Sequence, residues 1–374
     1  MTDYQLMATC GAGLESLVAR ELKDMGYRVQ TENGRVRFQG DYSDIVRTNL
    51  WLRTADRIKI IIGEFKARTF EALFDQTYAL NWEDYIPMDG EFPVAGKSIK
   101  SQLSSVPAVQ RIVKKAISKK LMASYLRTGH LPETGARYPL EVALRKDQAL
   151  LTLDTTGSSL FKRGYRADKG AAPLKENMAA ALIMLTTWHP DRPLYDPTCG
   201  SGTILIEAAL MGHQIAPGLY RDFVCQDWLF FDQTLWQTGR AEAQAAIKHD
   251  INLNIYGTDI DGDMIHLAQA NADKAGVSDS IRFIQSDLND FSIEEDYGIL
   301  IANPPYGDRL SNTEAVHTLY RQMGQKYESH PTWSKYYLTS DEAFEDYYGK
   351  KATKKRKLYN GALKVDYYQY WGQK

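Results

Sequence analysis

Apolar positions change their period repeatedly along the first sixty residues. Tyr4–Thr9 alternates as a short strand, and Leu14, Leu17, Val18 and Leu22 then recur at helical spacing through Met25. Tyr27–Thr31 and Arg35–Gln39 flank Asn33-Gly34, a strong short-range hairpin signal. A helix over Asp44–Leu52 leads into the β-branched strand Arg57–Phe65. This β-α-β-β-α-β order predicts a ferredoxin-like domain over residues 1–60. A second α+β unit is expected over 61–160, with helices at Phe70–Ala79 and Val106–Leu126 and strands at Leu140–Arg145 and Gln148–Asp154. The Gly-rich, basic stretch Gly157–Leu174 has no clear period and reads as a linker.

Over 161–374 helices and strands alternate. Helices are predicted at Leu174–Thr187, Gly202–Met211, Ala241–Asn252 and Asp263–Ala275. Strands are predicted at Leu194–Asp196, Ile255–Asp259, Ile281–Gln285, Gly298–Asn303 and Lys335–Ser340. That alternation means a parallel sheet with crossover helices. Lys355–Tyr359 and Leu363–Tyr370, joined at Asn360-Gly361, predict a closing hairpin. The expected class is therefore α/β, a doubly wound sheet with a terminal antiparallel hairpin, preceded by two α+β units.

The chain of 374 residues is 44 % hydrophobic and 25 % charged, which excludes a disordered or fibrous protein. Its N-terminus lacks the basic and apolar regions of a signal peptide, and no run is apolar enough to span a membrane. Three widely spaced cysteines without a CxxC pair predict a reduced, cytoplasmic protein with neither disulfides nor a metal. The net charge of −2 hides an asymmetry. Residues 1–170 carry 26 Lys/Arg against 20 Asp/Glu, and residues 171–374 carry 19 against 27. No acid occurs from Phe92 to Pro132. Lys114, Lys115, Lys119 and Lys120 fall largely off the apolar stripe of the predicted helix there. A basic patch beside an acidic domain fits a polyanion binder, and a solvated helix face fits it equally.

Candidate chemistry gathers at the C-terminal ends of four predicted parallel strands, where open α/β sheets bind ligands. Asp196-Pro197-Thr198-Cys199-Gly200-Ser201-Gly202 offers a GxG turn into a helix, without a third glycine or a GK[ST] to hold a pyrophosphate. Asp259, ending the next strand, suits the paired hydroxyls of a ribose. Asp287, after the third, suits an exocyclic amine such as that of adenine. The fourth segment, Asn303-Pro304-Pro305-Tyr306-Gly307, turns rigidly past the sheet. It would present the Asn303 amide oxygen and Pro304 carbonyl as acceptors, and the Tyr306 ring as a stacking plate for an amine on an aromatic base. No histidine lies near these segments with metal-binding spacing.

The set DPTCGSG, GTDID, SDL and NPPYG resembles the class I S-adenosylmethionine-dependent methyltransferases that modify exocyclic amines. With GSSLFKRGYR, APLKENMAAALI and KKRKLYNG, nearly the whole chain is similar to bacterial THUMP-domain RNA guanine-N2 methyltransferases, those of large-subunit ribosomal RNA above all. The resemblance implies a ferredoxin-like domain at 1–60, a THUMP RNA-binding domain at 61–160 and the methyltransferase at 161–374. It implies that Asp196, Thr198, Gly200 and Gly202 line the methionine end of the cofactor, approached by Pro173 and Leu174. Asp259 would hold the ribose, Ile260 the adenine ring and Asp287 the adenine amine. Asn303, Pro304 and Tyr306 would hold the target base. Lys114, Lys115, Lys119 and Lys120, with Lys162, Arg163 and Arg166 of the linker, would contact RNA, either ribosomal RNA or an assembly intermediate. The chain stops just after its hairpin, so one activity is expected. Transfer RNA as substrate, an adenine-N6 DNA methyltransferase and a non-catalytic RNA-binding protein are the alternative readings.

Overall fold

The computed structural model describes residues 3–166, 174–292, 294–305 and 313–373. The chain forms two compact units. One comprises residues 1–10, 18–160 and 221–242, and the other 11–17, 161–220 and 243–374. Among the described residues no helix is long and apolar enough to cross a membrane.

In the first unit, β1 (Tyr4–Thr9), α1 (Glu15–Asp24), β2 (Val29–Glu32), β3 (Arg35–Gly40), α2 (Tyr42–Trp51) and β4 (Arg57–Lys66) follow the predicted ferredoxin-like order. Gly34 turns the β2–β3 hairpin at φ +74°. Asp41 starts α2 with a capping box, accepting from the Ser43 and Asp44 amides. Next come α3 (Phe70–Tyr78), β5 (Val94–Ile99), α4 (Val106–Ser124), β6 (Leu140–Arg145) and β7 (Gln148–Asp154). The two predicted N-terminal units share a single seven-stranded sheet, β2-β3-β1-β4-β7-β6-β5, joined where β4 pairs antiparallel with β7. Strand β5, parallel to β6, was not apparent in the sequence.

The second unit carries α5 (Glu176–Met184), β8 (Leu194–Asp196) and α6 (Thr203–Gly212). Helix α7 (Gln233–Ala245) comes next and belongs mostly to the first unit. It starts eight residues before its predicted position because Asp232 caps it, accepting from the Thr234 amide at 2.9 Å, and Trp236 is buried. β9 (Ile255–Asp259), α8 (Gly262–Ala275), β10 (Arg282–Gln285), β11 (Ile299–Ala302), α9 (Thr313–Tyr327), β12 (Ser334–Thr339), α10 (Phe344–Tyr348), β13 (Lys354–Asn360) and β14 (Leu363–Tyr370) complete the chain.

These strands form a second seven-stranded sheet, β10-β9-β8-β11-β12-β14-β13, parallel from β10 to β12 and antiparallel beyond. Strands β8, β11 and β12 are buried along their whole length, as parallel strands covered on both faces must be. An aromatic cluster around Tyr195, Tyr320, Trp333, Tyr337 and Phe344 packs beside β11 and β12. Strand order reverses between β8 and β11. This switch point is where a doubly wound sheet opens a crevice.

Candidate active site

The loops leaving β8, β9, β10 and β11 border a cavity of about 650 Å³. After β8 the chain must turn at once into α6, and it does so through two left-handed glycines, Gly200 at φ +51° and Gly202 at φ +77°. Their duties differ. A Cβ on Gly200 would meet nothing within 4 Å, so the loop leaves open space against the cavity. A Cβ on Gly202 would press on Ala268 and Phe283 at 3.0 Å. Gly202 therefore seats α6 on α8 and β10, and the cavity wall is made by Gly200, Ser201 and Thr203.

Asp196 ends β8 almost wholly buried, 2 % exposed, with Oδ1 accepting from the Thr198 amide at 3.0 Å. Burial pushes its carboxyl up to about 8, against that hydrogen bond. Asp259 ends β9. Its Oδ2 accepts from the Gly200 amide at 2.9 Å and its Oδ1 from the Asp261 amide at 3.0 Å. The acid thus locks the glycine loop to its own strand and keeps lone pairs for a ligand. Ile260, 69 % exposed, is an apolar lip at the cavity. Asp287 Oδ1 accepts from the backbone and side-chain amides of Asn289 at 2.8 and 3.0 Å, which holds the loop after β10.

Asn303 follows β11 and lines the same cavity. Its Oδ1 is shielded from water and has no hydrogen-bond partner among the described residues, nor has the Thr198 hydroxyl. An unsatisfied buried acceptor costs about 1–3 kcal/mol, so it marks a place kept for a donor. Pro304 is buried behind it, and Pro305 forms wall in its stead. Leu174 lines the cavity as expected. Tyr306 and Pro173 lie outside the described residues.

The basic residues assigned to RNA do not behave as one surface. Arg163 is buried and ion-paired with Glu207, because α6 carries that acid inward; it has no surface to offer a partner. Arg166 is a wall of the cavity. Lys114 bonds Glu133 at 2.6 Å and the Phe92 carbonyl at 2.9 Å, and Lys120 pairs with Glu83 at 3.4 Å, so both are held along the fold. Lys115, Lys119 and Lys162 are exposed. Sequence reasoning also missed Leu319 and Gln322, which line the cavity from α9. No helix was predicted there, although Val316, Tyr320, Met323 and Tyr327, all buried, recur at helical spacing.

The first residue of that cavity wall and most of the second unit fall in a match, over residues 163–369, to the family described as RMKL-like, methyltransferase domain. Residues 5–59 match the RlmL ferredoxin-like domain and 67–154 the THUMP domain. YpsC of Bacillus subtilis, provisionally named an RNA methyltransferase, is 53 % identical over 100 % of this chain and 97 % of its own. The ribosomal RNA large subunit methyltransferase K/L of Photobacterium profundum is 34 % identical over 86 % of this chain. The match spans 46 % of that enzyme, so this chain corresponds to about half its length. The crystal structure of SMU.472, a provisionally named methyltransferase bound to S-adenosylhomocysteine, superposes with a TM-score of 0.96. It is 51 % identical and covers 100 % of this chain and 99 % of that one. A structure from Listeria monocytogenes, described as a predicted N6-adenine-specific DNA methylase, is 55 % identical with the same TM-score, over 100 % of this chain and 97 % of that one.

Proposed function

This chain belongs to the RMKL-like methyltransferase family, and from that premise we propose that it methylates the exocyclic N2 amine of a guanosine in RNA, in the 23S ribosomal RNA. The methyl donor is S-adenosylmethionine, which supplies a carbon already activated by its sulfonium. The donor set fits it: open space at Gly200, acids ending β8 and β9, and the exposed Ile260 face. The observation that carries the amine target is Asn303 Oδ1, past the end of β11, an acceptor without a donor among the described residues.

Asn303 would accept one hydrogen of the amine and so fix the direction of the nitrogen lone pair. Its oxygen also faces the positive charge that grows on nitrogen during transfer. Holding the nucleophile aligned is worth up to about 7–11 kcal/mol, enough for this chemistry without a strong base. The amine gives its surplus proton to solvent afterwards. A base inside a stacked helix must first be extruded, which costs a few kcal/mol. RNA as the polymer is supported by the THUMP match at 67–154 and by the names of YpsC and the K/L enzyme. Guanine-N2 in 23S RNA rests on the resemblance of the motifs. The Listeria description supports adenine-N6 in DNA as a second reading, since the same acceptor geometry serves either amine.

Replacing Asn303 by Ala tests the amine site. Turnover should fall by about 10²–10³-fold, the usual cost of deleting one aligned polar group, while S-adenosylhomocysteine binding by calorimetry stays within a few-fold. Turnover that survives would remove Asn303 from the chemistry.

A further inference from the structure

Residues 163–166, a strap within the stretch that the sequence assigns to RNA, lie instead along one face of α6. Thr203 and Glu207 are four residues apart and share that face. Glu207, wholly buried, takes the Arg163 guanidinium at 3.4 Å and the Tyr165 hydroxyl at 3.1 Å. One turn earlier, Arg166 Nη2 donates to the Thr203 hydroxyl and to the Leu174 carbonyl, each at 2.8 Å. The buried pair fixes the strap, and the strap fixes Arg166 over the N-terminus of α6.

That placement puts a cation in the same cavity as a buried acid. Arg166, Leu174, Thr203 and Asp196 all line the same space. Glu176 is a loose counter-ion at 3.8 Å from Arg166 Nε, and Nε itself is buried without a hydrogen-bond acceptor among the described residues. A helix N-terminus favours an anion, and a guanidinium beside it adds a planar fork matched to a carboxylate. Among the described residues the other three loops offer the cavity no cation; their polar contributions include Asp259, Asp261, Asp287 and Asn303.

We propose that Arg166 is the carboxylate-binding residue of the cofactor site, holding the amino-acid end of S-adenosylmethionine over the start of α6. The inference rests on the reading that this cavity holds that cofactor. Arg163, Tyr165 and Glu207 are positioning residues for it, acting through the strap. The guanidinium then takes the carboxylate end of the zwitterion, and Asp196 lines the same cavity for its ammonium end.

The test compares S-adenosylmethionine with its decarboxylated form, which differs only in lacking the carboxylate, by calorimetry on the full chain. Wild type should bind the decarboxylated form about 10- to 100-fold more weakly, the value of a hydrogen bond to a charged group. Arg166→Gln should lose that factor for S-adenosylmethionine alone, so that the two ligands bind it alike. Arg166→Lys keeps the charge without the fork and should discriminate to an intermediate degree. The proposal is overturned by wild type that does not distinguish the ligands, or by Arg166→Gln that weakens both equally or still prefers the carboxylate as wild type does. Wild type that binds neither ligand overturns the cofactor reading as well, and so separates the two failures.

Discussion

At Asp196 burial sets a cost in stability against the binding role proposed for it. Its carboxyl is pushed up to about 8 by burial, so below that pH it holds a proton in the folded chain. The unfolded chain releases that proton near pH 4. Between those values the folded state binds one more proton, so stability falls as pH rises. Asp196→Asn keeps the acceptor for the Thr198 amide and removes the titration. Urea unfolding from pH 5 to 8 should show the variant gaining on wild type by up to about 1.4 kcal/mol per pH unit. The same variant should bind S-adenosylmethionine more weakly, because the carboxyl that would give up its proton beside the ammonium is gone. Parallel stability curves would mean that Asp196 is already ionised in the free protein. At this scale the acids ending β8, β9 and β10 were readable, since a strand end is a fixed place in the fold. Arg163 and Arg166 were not. A basic residue in a Gly-rich stretch looks solvent-facing until its acid, here Glu207 more than forty positions later, is brought beside it.

Helix α9 joins the loops that sequence motifs treat separately. Leu319 and Gln322 line the cavity, Tyr320 sends its hydroxyl to Thr339 at 3.0 Å, and the Lys326 ammonium donates to the Leu288 and Phe291 carbonyls. Lys326 thus holds the loop that carries Asp287. Burial pulls its ammonium down, opposed by Asp290 and Asp287. Lys326→Met should weaken S-adenosylhomocysteine binding about 3- to 10-fold, the value of an ordinary hydrogen bond, with circular dichroism unchanged. Unaltered affinity would mean that the loop holds itself through Asn289 alone. Most elements were legible because their periods were clean. Strand β5 was not: Val94–Ile99 alternates half-buried with exposed positions, and its Gly96 leaves room for Gln110 of α4, where a Cβ would come within 2.7 Å. A strand that packs by omission of a side chain gives no apolar signal.

For the whole molecule, a parallel sheet closed by an antiparallel hairpin was implied by the alternation of strands and helices, while the order β10-β9-β8-β11-β12-β14-β13 was not. The sharing of one sheet by the two N-terminal units was not, because the β4–β7 pairing joins strands about ninety residues apart. The charge asymmetry survives folding only in part. Lys114 and Lys120 are held by intramolecular acids, which leaves Arg111, Lys115 and Lys119 as the exposed cations of α4's five. The substrate claim therefore depends on chemistry more than on surface charge. It is tested most directly by transfer of labelled methyl from S-adenosylmethionine to total RNA and DNA of a strain lacking this protein, with the product nucleoside identified by chromatography and mass. The account predicts N2-methylguanosine, confined to the large ribosomal RNA. N6-methyladenine in DNA, or no transfer by a chain that binds the cofactor, would contradict it.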